Sequence, residues 1–199
     1  MRVIAGSAKG RHLKGPPSRR TGDRAAGIRP SSDMVRGALF NALDALGTDF
    51  TRVLDLYAGT GALGIEALSR GADWCDFVER DRVMSEVVRE NVQLTGFTDS
   101  AKVYPIAAEK ALNRLNGPYT LVLADPPYAA GAWDLLQTLA VSPLLASDGT
   151  IVLEHSARDE PRGDLGRLHL EKVLRHGDSA VSIYLAPGAD PGSGPQGGE

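Results

Sequence analysis

The chain has 199 residues, 42% hydrophobic and 24% charged, with a net charge of −3, enough for one domain with a substantial core and ordinary for a globular protein. Cys75 is the only cysteine and the four histidines show no metal-ligand spacing, which excludes an internal disulfide and a cysteine-built zinc site. No apolar run reaches the roughly 18–20 residues that span a bilayer, and no apolar segment follows the basic N-terminus, so a cytoplasmic protein without metal or membrane partner is expected.

Charge is unevenly spread along the chain. Residues 1–36 hold nine Lys and Arg side chains against Asp23 and Asp33, whereas the remainder carries 13 basic and 23 acidic residues. A basic arm on an acidic body suits polyanion binding; the alternative is a solvated tail. Residues 1–6 and 9–13 read as two short strands about a Gly-containing turn, a hairpin. Residues 15–27 are rich in Pro, Gly, Ser and Arg and predict a mobile loop. Arg2, Lys9, Arg11, Arg29 and Arg36 are the candidates for phosphate contact, which supplies affinity and position more than sequence preference. Arg36 has a second reading as the i, i+3 partner of Asp33.

Ser31 or Ser32 is a credible N-cap for a helix with apolar Met34, Val35, Ala38, Leu39, Ala42, Leu43 and Leu46, stopped at Gly47. Strands and helices then alternate. Strands are expected at 53–57, 75–79, 102–104, the segment ending at Asp125, and 149–154, with helices at 62–70, 83–94, 108–115 and 133–140. Two strands, 168–175 and 180–185, follow with no helix between them. Repeated βα units imply an α/β fold, Rossmann-like, with a mostly parallel seven-stranded sheet and an antiparallel hairpin at its end. The expected organisation is a hairpin and loop for RNA contact (1–30), a central domain (31–186) and a disordered Pro/Gly-rich tail (187–199).

The first βα turn carries Gly59, Gly61 and Gly64 in G-x-G-x-x-G spacing, which allows a tight turn and close ligand approach over a helix N-terminus. NAD and S-adenosylmethionine both fit that spacing. Asp55, two residues inside the strand end, favours the latter: its carboxylate suits the donor's ammonium, directly or through water, and would repel a pyrophosphate. Glu79, ending the second strand, suits ribose hydroxyls in either case. Asp55, Tyr57, Gly59, Thr60, Gly61, Gly64 and Glu79 are thus the candidate cofactor residues, with the Arg80 stem, Ile106 and Ala107 as candidate adenine walls. Asp81 reads as the N-cap of the next helix.

The fourth strand ends in Asp125-Pro126-Pro127-Tyr128. Each proline fixes φ and lacks an N–H, so this edge is stiff and presents acceptors beside an aromatic ring. Taken alone it is also an ordinary turn. Asp125 and the Pro126 carbonyl suit the two hydrogens of an exocyclic amine, Pro127 holds the corner rigid, and Tyr128 suits stacking on an extruded base. The edge does not decide between guanine and adenine. His155, Trp133 and Phe40 read as structural residues.

Residues 1–6, Gly10-Arg11, 28–31, 35–41, 53–68, 77–81 and 125–128, in that order, resemble the RsmD family, 16S ribosomal RNA methyltransferases that act on the N2 of a guanine. The resemblance covers roughly residues 1–185. It implies a class I methyltransferase fold, S-adenosylmethionine as donor with S-adenosylhomocysteine as product, and 16S ribosomal RNA presented in a partly assembled small ribosomal subunit. A monomer is expected. Many members carry an aspartate after the third strand, where Ala107 stands here. Competing readings are an amino-methyltransferase acting on adenine N6 or another RNA, an NAD-linked oxidoreductase, and a non-catalytic RNA-binding protein.

Overall fold

The computed structural model describes residues 1–16, 33–127 and 129–187. The expectations for the loop beyond Pro16, Arg29, Ser31, Ser32, Tyr128 and the tail from Gly188 onward lie outside these residues.

A first helix, α1 (Asp33–Ala45), precedes the alternating region. There, β1 (Arg52–Asp55), α2 (Ala62–Ser69), β2 (Trp74–Val78), α3 (Arg82–Thr95), β3 (Ala101–Tyr104), α4 (Ala108–Ala111), β4 (Tyr119–Ala124), α5 (Ala129–Ala140) and β5 (Leu145–Ser156) follow in turn. The chain closes with β6 (Asp164–Leu165), β7 (Leu168–His176) and β8 (Ser179–Leu185). The sheet order is β3-β2-β1-β4-β5-β8-β7-β6, with β3 to β5 parallel and the pairings of β8 and β6 antiparallel. The sheet has eight strands where seven were expected. The additional strand, β6, is two residues long and too short to show a period of two. The fourth helix is also shorter than expected, ending at Ala111 before the polar run that leads to Pro118.

Alternation along the strands divides the core between the two faces of the sheet. Leu121, Leu123 and Val152 pack with Leu39, Phe40, Leu43 and Phe77, whereas Val122, Ala124, Ile151 and Leu153 pack with Leu136, Trp133 and Tyr184. The order in which strands are added to the sheet reverses between β1 and β4, which are themselves parallel. In such sheets ligands bind in the crevice outside the strand ends at that switch point. Among the described residues no helix is long and apolar enough to cross a membrane.

The N-terminal hairpin forms one antiparallel bridge, Arg2 with His12, supported by backbone bonds from Val3 to Arg11 and from Gly10 to Val3. It is less regular than two expected strands, yet firmly seated. Val3, Ala8 and Leu13 are buried in the first core cluster. Fully buried Glu66 on α2 accepts the backbone N–H groups of Ile4 at 2.8 Å and Ala5 at 3.0 Å, and Ser69 Oγ accepts that of Ala8 at 2.9 Å. These partners satisfy backbone groups that the irregular strands leave open.

Candidate active site

A cleft of about 1220 Å³ lies across the strand ends at the switch point. Its walls come from the β1–α2 turn (Leu56 to Thr60), the β2 end (Glu79 to Asp81), the β3–α4 turn, the β4 end (Asp125 to Pro127) and the β5 end (Glu154 to Ser156).

Asp55 is 1% exposed. Its Oδ2 accepts the Gly64 N–H at 2.9 Å, while Oδ1 is buried without a hydrogen-bond partner. Burial pushes its carboxyl up to about 7, against the Gly64 bond and helped by the charge of Glu79. Asp55 lies behind the cleft wall formed by its neighbours Leu56 and Tyr57.

Two of the three glycines face inward. Gly59 and Gly61 adopt left-handed φ values of 54° and 79°, as a tight turn requires. A Cβ on Gly64, however, would meet Phe77 at 2.4 Å and the Cys75 sulfur at 2.7 Å, and one on Gly61 would meet Val88 at 3.2 Å. Gly64 therefore serves close packing of α2 on β2 where the spacing had suggested ligand approach. Gly59 and Thr60 do face the cleft.

Glu79 is half-buried and locked: Oε2 accepts the Gly59 N–H at 2.9 Å and Oε1 the Asp81 N–H at 2.8 Å. Each oxygen keeps a second lone pair. Asp81 caps α3, accepting from the Val83 and Met84 N–H groups, as expected. The far wall holds Arg80, Ile106 and Ala107, and with them Glu109, which the sequence reading missed. Glu109 lies in the first turn of α4, and its charge, second to burial, raises the Tyr57 phenol to about 12.

Asp125 follows directly on β4. The pairing of Leu123 with Val152 and Ala124 with Leu153, carried one residue further, sets Asp125 beside Glu154 at the ends of adjacent parallel strands. Burial first, then the charges of Glu154 and Asp55, push the Asp125 carboxyl up to about 7. Asp125, Pro126 and Pro127 all line the cleft. His155 is buried, its Nδ1 bonded to the Ser156 carbonyl at 2.9 Å and Nε2 to Ser182 Oγ at 2.8 Å. It is a satisfied strand residue, and Trp133 packs against it and Tyr184.

Of the basic candidates, Arg2, Lys9 and Arg11 are exposed on the hairpin. Arg36 corrects its expectation as a phosphate contact. It is 1% exposed, donates to the Arg2 carbonyl and to Asp33 at 3.1 Å, and lies 3.5 Å from Glu66. The i, i+3 reading thus describes part of its role. Its Nε and Nη1 have no hydrogen-bond partner, and the residue borders the cleft.

Comparisons with known proteins agree along nearly the whole chain. The family model described as conserved hypothetical protein 95 matches residues 1–185. YlbH of Bacillus subtilis (strain 168) is 38% identical over 192 residues, spanning 94% of this chain and 100% of that protein. The ribosomal RNA small subunit methyltransferase D of Escherichia coli (strain K12) is 35% identical over 187 residues, spanning 92% of this chain and 89% of that protein. Among solved structures, yhhF from Escherichia coli superposes with a TM-score of 0.79 at 30% identity, covering 94% of this chain and 97% of that one.

Proposed function

The chain belongs to the RsmD family of S-adenosylmethionine-dependent ribosomal RNA methyltransferases, and from that premise we propose that its methyl acceptor is the exocyclic N2 of a guanine in 16S ribosomal RNA. The family assignment removes the NAD-linked and non-catalytic readings. Action in the cytoplasm, by a monomer, on a partly assembled small subunit belongs to the same proposal. The observation that carries it is Asp125 with Pro126, a rigid acceptor corner lining the cleft that borders the glycine turn.

The cleft fits the donor on its own chemistry. The buried polar atoms without partners include Asp55 Oδ1 and Arg36 Nη1, which belong to groups of opposite charge. They match the ammonium and carboxylate of an amino-acid moiety, Arg36 directly from the cleft wall and Asp55 from behind it. Buried unpaired groups cost on the order of 1–3 kcal/mol each, so a ligand that satisfies them gains that much back. Glu79 would hold the ribose hydroxyls, Ile106, Ala107 and the Arg80 stem the adenine faces, and Glu109 the adenine amino group that Ala107 cannot reach. Bound S-adenosylmethionine supplies an electrophilic methyl carbon on a cationic sulfur.

The chain's own task is the nucleophile, because the N2 lone pair is delocalised into the guanine ring. Asp125 and the Pro126 carbonyl accept the two amino hydrogens and draw the nitrogen towards tetrahedral geometry, freeing its lone pair. The interaction strengthens as positive charge grows on N2, so it favours the transition state over the ground state. Alignment of the reacting atoms supplies the rest. After transfer, Asp125 takes the surplus proton, a role its raised carboxyl suits near neutral pH. Arg2, Lys9 and Arg11 on the seated hairpin hold RNA phosphates.

Transfer of tritiated methyl from S-adenosylmethionine to immature small subunits, naked 16S RNA and DNA tests this. Label in ribosomal RNA, recovered as N2-methylguanosine, is expected. Label confined to DNA, or recovered as N6-methyladenosine, overturns it.

A further inference from the structure

We propose that Glu154 identifies the acceptor base as guanine by accepting its N1–H, while Asp125 and the Pro126 carbonyl take the two hydrogens of N2. This deepens the guanine-N2 reading and rests on it.

The argument is one of matching donors to acceptors along a single edge. The Watson–Crick edge of guanine presents three hydrogens in a row, one on N1 and two on N2. Adenine presents two hydrogens on its amino group and a bare lone pair on N1. Flipped bases are read on this edge. Asp125 and Pro126 satisfy an amino group of either base and so do not distinguish them. A third acceptor next to them, in the position of the ring nitrogen, does.

Glu154 occupies the neighbouring position. The β4–β5 register sets it beside Asp125, and adjacent strands lie roughly 4.8 Å apart. In-register residues of parallel strands point to one face, and both Asp125 and Glu154 line the cleft. Their charges also feel each other, since Glu154 is the strongest charged influence raising Asp125. Each carboxylate oxygen carries two lone pairs, so the side-by-side pair offers several acceptor positions along one edge of the cleft. Guanine brings a donor for each carboxylate. Adenine in the same pose would turn the N1 lone pair towards the Glu154 carboxylate, opposing two acceptors.

The test uses an RNA substrate in which the methylated guanosine, located first by mass mapping of the wild-type product, is replaced by 2-aminopurine riboside. That base keeps the N2 amine but has a lone pair on N1. Glu154→Gln is the matched variant, because its amide can donate to that lone pair. Assays at pH 8 keep Asp125 mostly ionised in both proteins while guanosine keeps its N1–H. The wild type is expected to favour guanosine by about 100-fold in kcat/KM. Glu154→Gln should lose about 10–100-fold on guanosine and gain about tenfold on 2-aminopurine. Equal losses on both bases overturn the assignment. So does a wild type that uses both bases equally well, a result that needs no variant to fold. A wild-type product methylated anywhere but guanine N2 overturns the parent reading as well, and is told apart by the mapping step.

Discussion

The Asn91 carboxamide donates to the Thr60 carbonyl at 2.9 Å and to the Lys14 carbonyl at 3.0 Å, while its oxygen accepts the Lys14 N–H at 2.7 Å. One fully buried side chain on α3 thereby joins the glycine turn to the basic arm. Asn91→Ala frees both segments at once. It should raise KM for donor and for RNA by about tenfold each while changing kcat little, because buried carbonyls left unpaired cost on the order of 1–3 kcal/mol. Steady-state kinetics with each substrate varied in turn checks this.

Gly6 is fixed by Ser69. A Cβ at Gly6 would fall 1.7 Å from the Ser69 carbonyl oxygen, and its φ of 80° is itself unfavourable for other residues. Gly6→Ala should therefore unseat the hairpin. Trypsin should cut rapidly at Lys9, Arg11 or Lys14 in the variant and slowly in the wild type. RNA methylation should fall by at least about tenfold, with a folded core persisting in circular dichroism.

Asp125→Asn should lower kcat by about 10²–10⁴-fold and leave S-adenosylhomocysteine affinity within a few-fold. It also carries a stability signature. The folded carboxyl is raised from 3.8 to about 7, so between those values the native state holds a proton that the unfolded chain releases. The associated stability is complete below about pH 4 and is lost as pH rises through about 7. Asparagine removes that loss. The variant's Tm relative to wild type should be higher at pH 8 than at pH 4, by several degrees at about 2–4 °C per kcal/mol for this size.

Arg36→Lys keeps a positive charge but loses the guanidinium fork. It should weaken S-adenosylhomocysteine about 10–100-fold and its decarboxylated analogue little, as loss of a charged hydrogen bond implies. Calorimetry with the two ligands separates this from general damage, which would weaken both alike.

Local signals in the sequence carried most of the fold and part of the site. Short apolar runs alternating with helical segments marked the parallel strands, and the stiff Asp125–Pro127 corner and the Asp81 cap depend on neighbours in sequence. What stayed hidden depends on distant partners. Glu66 reads as an ordinary helix residue, yet it receives Ile4 and Ala5 from more than 60 positions away. Arg36 reads as surface charge because nothing nearby shows that the hairpin and α2 enclose it. Gly61 and Gly64 fit a ligand-approach spacing, but Val88, Phe77 and Cys75 decide which way they face. Glu154 looked like a strand end until the β4–β5 register set it beside Asp125.

The most direct measurement is nucleoside mass analysis of 16S RNA from immature small subunits, treated with donor and either wild type or Asp125→Asn. The account predicts one new N2-methylguanosine with the wild type and almost none with the variant. A methylated base other than guanine, or N2-methylguanosine formed equally by both proteins, would contradict it.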